Sequence, residues 1–250
     1  MRTLASLSCS SLLLASLFVP LAQAQAQDAL AQDPLVGLPQ ESFQVATLKF
    51  RIEGAEHNVT VQLFPEAAPR HVQNFIDNAR SGLYRNLAVH RAIPGFIVQT
   101  GDPLTRAGGD RAGWGTGGND NTIPAEIGLP HTRGAIAMAR RHVGNPSKAS
   151  NSAQFYFALD NLRNLDGDYT VFGQVLAGID VLDRIGSTIT DRADVPRQRI
   201  ELVSVQVQET TNPSVIAAAT RTRNSRSAIS RNATPESEKT GFARFLERFW

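Results

Sequence analysis

From Val45 to Ile52 the side chains follow a period of two. Ala46, Leu48, Phe50 and Ile52 fall on one parity, and Val45, Thr47, Lys49 and Arg51 on the other. That period marks a strand with one face in a core. Val59, Val61 and Leu63 repeat it after a turn placed around 54–58, so the two runs predict an antiparallel hairpin. The period then lengthens. Val72, Phe75, Ile76 and Ala79 line one helical face, with Pro69 suited to the first turn and Gly82 to the stop. Further strands are predicted over 96–100, 135–139, 154–158, 171–175 and 200–207. A second short helix is predicted over 179–185, with Val181, Leu182 and Ile185 inward and Gly186 behind it. Many short strands with two helices predict a mainly β fold, a closed or nearly closed barrel rather than a parallel sheet. No internal repeat is visible.

The two ends follow different rules. Arg2, an apolar segment over 12–21 and the small residues around Gln23 predict a secretory signal over 1–24. The apolar segment is shorter than the ~20 residues of a membrane span and contains Pro20. Residues 25–42 read as a flexible lead-in, and 43–209 as the folded domain. The tail, 210–250, is rich in Thr, Asn, Ser and Arg. Near its end Phe242, Phe245, Leu246 and Phe249 share helical spacing with Arg244, Glu247 and Arg248 between them. Such a segment docks on a partner or membrane surface, packs back on its own domain or stays disordered.

At 250 residues and 42% hydrophobic the chain has material for one good core plus tails. Its 25 basic and 23 acidic residues balance to +2, which argues against nucleic acid as the main partner. Cys9 is the only cysteine and lies in the predicted signal, so disulfides and cysteine chemistry are excluded from a processed chain. Export to a bacterial periplasm fits that composition best.

The chemistry concentrates in 89–102, VHRAIPGFIVQTGD. Arg91 precedes the apolar run 93–98, Pro94-Gly95 supplies a turn, and Gln99 follows. A guanidinium is always charged and offers a rigid fork of donors, here beside apolar residues that would hold a hydrophobic ring. No nucleophile accompanies it. GxSxG is absent, the five histidines show neither HExxH nor other metal-ligand spacing, and His90 reads as a structural imidazole bonded to backbone. The glycine-rich 103–130 lacks the Lys-Ser/Thr ending of a phosphate loop and reads as a surface loop packed by its own turns. No cofactor or metal is expected. The pattern suits a site that works on the shape of a peptide.

Five segments in order carry a family resemblance: 89–102, GTGG at 115–118, TRGAIAMAR at 132–140, SAQFYFAL at 152–159 and LDGDYTVFGQV at 165–175. Together they resemble the cyclophilin family of peptidyl-prolyl cis–trans isomerases, over roughly 43–209. The resemblance implies a closed eight-stranded antiparallel barrel, a helix over each open end and a substrate groove on the outside. It implies that Arg91 is catalytic, that Phe96 floors the proline pocket and that Gln99 binds substrate backbone. Ile97, Met138, Gln154, Tyr156 and Leu165 fall on other pocket or groove positions. His90 and Tyr169 join them, and Ala139 and Arg140 fall on the strand that aligns the peptide. Four positions depart from the family pattern: Val89 and Tyr156 stand where phenylalanine is usual, Asn164 replaces a tryptophan and Tyr169 a histidine. Loss of the indole at 164 implies weaker cyclosporin binding. The expected partners are proline-containing exported chains bound by a monomer. A proline-binding chaperone with little catalysis is the alternative, and a lipocalin-like barrel with an open interior a third.

Overall fold

The computed structural model describes residues 42–211 except 108, 119 and 120. The expected signal over 1–24, the expected lead-in up to 41 and the expected tail beyond 211 lie outside the described residues. Strand β1, Phe43–Ile52, and strand β2, Ala55–Leu63, form the predicted hairpin. The turn is tighter than the sequence suggested. Ile52 pairs with Ala55, and the two connecting residues, Glu53 and Gly54, both have positive φ, 52° and 85°. That is the geometry a two-residue hairpin needs to match strand twist.

Helix α1, Pro69–Arg80, buries His71, Val72, Phe75 and Ile76. Its N-cap, Ala68, has no side chain able to cap. The Glu126 carboxylate, brought from a distant loop, takes that role and accepts from Arg70 N and His71 N, both at 3.1 Å. The chain continues through β3 (Leu87–Ala88), β4 (Arg91–Ile93), β5 (Ile97–Thr100), β6 (Thr122–Ile123) and β7 (Ala135–Met138). The described residues end with β8 (Ser150–Asn151), β9 (Phe155–Ala158), β10 (Val171–Ala177), helix α2 (Ile179–Gly186) and β11 (Glu201–Thr210). In α2, Leu182 and Ile185 are buried and Val181 is partly so.

Nine strands form one antiparallel sheet, in the order β3-β11-β1-β2-β10-β7-β9-β5-β4; β6 and β8 pair separately. The closed barrel of eight strands implied by the resemblance is therefore corrected: the sheet is curled but open in its pairing, and has nine strands. The difference arises at one place. Residues 87–93 change partner midway, so Val89 N donates to Ile200 O in front of β11, whereas His90 N donates to Gln99 O of β5. One stretch of chain is thus split into β3 and β4, which lie end to end and pair on opposite sides.

Two apolar clusters occupy the two faces of the sheet. The inner one holds Phe50, Phe75, Tyr84, Phe155, Phe157 and Phe172, all at most 1% exposed, and it fills the interior a lipocalin-like barrel would leave open. The outer one holds Ile97, Ala135, Ala137, Ala139, Tyr156, Ala158, Leu162, Leu165, Tyr169 and Val171. Apolar burial on the outside of a sheet requires a cover, and loop 159–170 supplies part of it.

Candidate active site

A turn sets the first residues of the site. Pro94 and Gly95 occupy its centre, Gly95 takes φ 65°, and Phe96 N donates to Ile93 O at 3.1 Å. The hairpin that results places Arg91 opposite Gln99. Gln99 lies opposite Tyr156 on β9, Tyr156 opposite Ala137 on β7, and Ala137 opposite Val171 on β10. Directly paired residues share a face, so Arg91, Gln99 and Tyr156 form a row across the outer side. Phe96, half-buried, packs on the same outer cluster, as does Ile93.

Arg91 is mostly buried, with 12% of its side chain exposed, and its Nε lies 3.9 Å from Asp194 Oδ2. Burial lowers its pKa; Asp194 and Tyr169 act in the opposite sense. A guanidinium remains charged throughout. Asp194 is itself fixed: its carbonyl accepts from Ala92 N at 2.9 Å, and the Asp191 carboxylate ties the turn through Ala193 N and Val195 N.

A chain of amides fixes Gln99. Its Nε2 donates to Gln154 Oε1 at 2.9 Å, and Gln154 Nε2 donates to the carbonyls of Gly115 and Gly117. The glycine segment is held in turn by fully buried Asp102, whose carboxylate accepts from Gly115 N, Gly117 N and Leu104 N. This part of the loop is therefore packed by its own turns, and it supports the site through Gln154.

The remaining predicted residues divide. Ile97, Leu165 and Tyr169 lie in the outer cluster, with Tyr169 edge-on to Tyr156 at 5.7 Å. Arg140 lies behind them, its guanidinium 4.7 Å from the Tyr169 ring centre and its Nε bonded to Asp168 O. Met138 does not belong to this face. It pairs with Phe155 and is wholly buried in the inner cluster, because alternation sends Ala137 and Ala139 outward and the methionine in. The assignment of Met138 to the groove is corrected accordingly. Ala139 contributes its methyl to the outer cluster, and its backbone N–H and C=O bond to Gln154 O and Asn151 N.

His90 is 4% exposed, and its ring lies against the Ala88 backbone, as expected of a structural imidazole, and against the Gln154 side chain. Burial lowers its pKa from 6.5 to about 4, against the opposing effect of Asp102. The folded pKa lies below the unfolded one, so unfolding takes up a proton between these values. This stability is complete above pH 6.5 and is lost as pH falls to about 4. The melting temperature is expected to drop over that interval, and His90→Phe to flatten the slope in thermal melts. His71, also lowered mainly by burial, keeps the slope from vanishing.

Four supporting residues had not been singled out from sequence. Asp102 carried a local signal, an acidic residue before Pro103 that caps a 3-10 turn. Asp166 lies in the segment 165–175 beside Leu165, whereas Asp194 and His131 carry no local signal and are brought in by the fold. Among the described residues no three His, Cys, Asp or Glu side chains gather as a metal cluster, and no helix is long and apolar enough to cross a membrane.

A family model described as cyclophilin type peptidyl-prolyl cis-trans isomerase/CLD matches residues 47–207, well over half of the chain. The chain belongs to the cyclophilin family. This cyclophilin is 38% identical over 180 residues to a probable peptidyl-prolyl cis-trans isomerase of Brucella suis, covering 70% of the chain and 84% of that protein. It is 36% identical over 151 residues to peptidyl-prolyl cis-trans isomerase-like 1 of Aspergillus fumigatus, covering 60% of the chain and 89% of the relative. It spans only 26% of the isomerase-like 2 protein of Gibberella zeae, at 36% identity. Among solved structures, a cyclophilin type isomerase of Cryptosporidium parvum aligns with TM-score 0.58 and 27% identity, over 66% of this chain and 98% of that one. A second structure of that protein, in the presence of the dipeptide Ala-Pro, aligns with TM-score 0.57 and 25% identity.

Proposed function

We propose that this cyclophilin isomerises X-Pro bonds in exported polypeptides and so assists their folding. One observation carries the catalytic part: a nearly buried guanidinium and an oriented glutamine amide share one row with an aromatic patch on an outer face. An X-Pro bond is held planar by amide resonance, with a barrier of about 20 kcal/mol. Twisting it breaks conjugation and returns a lone pair to the prolyl nitrogen. Phe96, Ile97, Tyr156 and Leu165 hold the ring. Gln99, its amino group committed to Gln154, turns its oxygen to a peptide N–H. Arg91 donates toward the twisted amide and favours it over both planar forms. Each tenfold gain takes about 1.4 kcal/mol of such preference, and no bond is made or broken. The presence of Ala-Pro with the Cryptosporidium neighbour supports a proline ligand here.

The export part rests on the leader pattern over 1–24. Periplasmic residence, action as a monomer and contact between the tail and a partner or membrane surface belong to the same proposal. Expression in a bacterial host followed by fractionation and N-terminal sequencing tests it. A processed chain beginning near residue 25 in the periplasm is expected; full-length protein confined to the cytoplasm contradicts export without touching the catalytic reading.

A further inference from the structure

The hydroxyl of Tyr156 has a buried partner. His131 Nε2 lies 2.9 Å from it, and the two rings meet edge to edge in nearly parallel planes, their centres 6.0 Å apart and the planes 5° from parallel. On its other side the imidazole meets Asp166, whose Oδ1 lies 2.9 Å from Nδ1 and also accepts from His131 N at 2.7 Å. His131 is 1% exposed and Tyr156 3%. Asp166 is the outer end: 34% of its side chain is exposed. With His131, it borders a surface cavity of about 300 Å³ that Leu129, Pro130 and Arg163 also line. The polarity of the chain is fixed by its ends. A carboxylate at Nδ1 demands a proton there, so in the neutral ring Nε2 is an acceptor and the tyrosine donates to it.

We propose that His131, oriented by Asp166, is a positioning residue that fixes the Tyr156 ring as a rigid wall of the proline site. This rests on the isomerase reading above. A phenylalanine at 156 would be placed by packing alone, whereas a buried hydroxyl without a partner costs free energy and drives its ring elsewhere. Tyr156 stands between Gln99 and Ala137 in the outer row, so a displaced ring disturbs the wall and the amide beside it. The His131–Asp166 pair makes the tyrosine tolerable and, by one directional bond in the plane of the ring, holds the ring while the preceding carbonyl rotates.

A double-mutant cycle on the full chain separates positioning from general structural support. kcat and KM are measured on a short Ala-Pro peptide for wild type, Tyr156→Phe, His131→Phe and the double variant, with Arg91→Ala as control. His131→Phe is expected to lower kcat/KM roughly tenfold in the wild-type background and less than about twofold when residue 156 is phenylalanine. His131→Gln, whose amide oxygen can accept near the Nε2 position, is expected to restore most of the loss. NMR of ring-labelled Tyr156 is expected to show faster ring flipping in His131→Phe and Asp166→Asn. If His131→Phe does not fold, the same cycle is run with His131→Gln and Asp166→Asn. Equal losses in both backgrounds, with unchanged ring flipping, overturn the positioning role while leaving the isomerase reading intact. An inactive wild type overturns both.

Discussion

Arg91→Ala lowers kcat/KM for a short X-Pro peptide by about 10²- to 10³-fold, the usual cost of removing one preorganised donor aimed at developing charge. The fold is expected to survive. Arg91 lies on a short edge strand whose backbone pairing with β5 does not involve the side chain. Its guanidinium stands 3.9 Å from Asp194, and truncation removes that contact without touching the strand pairing. Asp194 is 30% exposed and finds water in its place. Circular dichroism and melting temperature close to wild type, together with a stopped-flow or protease-coupled peptide assay, check both halves. Arg91→Lys recovers part of the loss, since a lysine keeps the charge but presents a flexible point donor in place of a planar fork.

Phe75→Ala is the counterpart, a large effect on stability with little on catalysis. Phe75 leaves α1 and enters the inner cluster, its ring 5.3 Å from Tyr84, 5.4 Å from Phe155 and 5.3 Å from Phe172. It is wholly buried. Removing it deletes the transfer energy of an aromatic ring and leaves a cavity that a curled sheet of fixed strand spacing cannot collapse. The expected loss is about 3–5 kcal/mol, a large part of the total stability of a domain this size. Urea titration measures it. The activity per folded molecule, measured in the cold, stays within about twofold, because Phe155 and Tyr156 point to opposite sides of β9 and the cavity opens on the wrong one.

Where one periodicity persists for eight or more residues, as in β1, α1 and β11, the sequence was enough to locate the element. Strands of two or three residues have no period to read, and β3, β4, β6 and β8 escaped for that reason. The break at Val89–His90 changed the strand count through the same blindness: nothing in the residues says that neighbours bond to different strands. Met138 failed differently. In Ala135–Met138 every side chain is buried, so the alternation that distinguishes inner from outer is masked by an unbroken apolar run. The row from Arg91 through Gln99 to Tyr156 needed strand register, which sequence alone does not supply. Asp194 arrives 103 positions after Arg91, and His131 meets Tyr156 across 25. The resemblance supplied what periodicity could not: it named Arg91, Phe96 and Gln99 from the segment 89–102 before any register was known.

In the proposed mechanism Arg91 prefers the twisted amide to the planar ones and does not merely help hold the peptide. NMR exchange spectroscopy on a saturating Ala-Pro peptide reads both properties in one sample, as the cis–trans exchange rate on the protein and the dissociation constant. Arg91→Ala is expected to slow exchange on the protein by about 100-fold or more while the dissociation constant changes by less than about fivefold. Equal exchange rates for wild type and variant at saturation would contradict it.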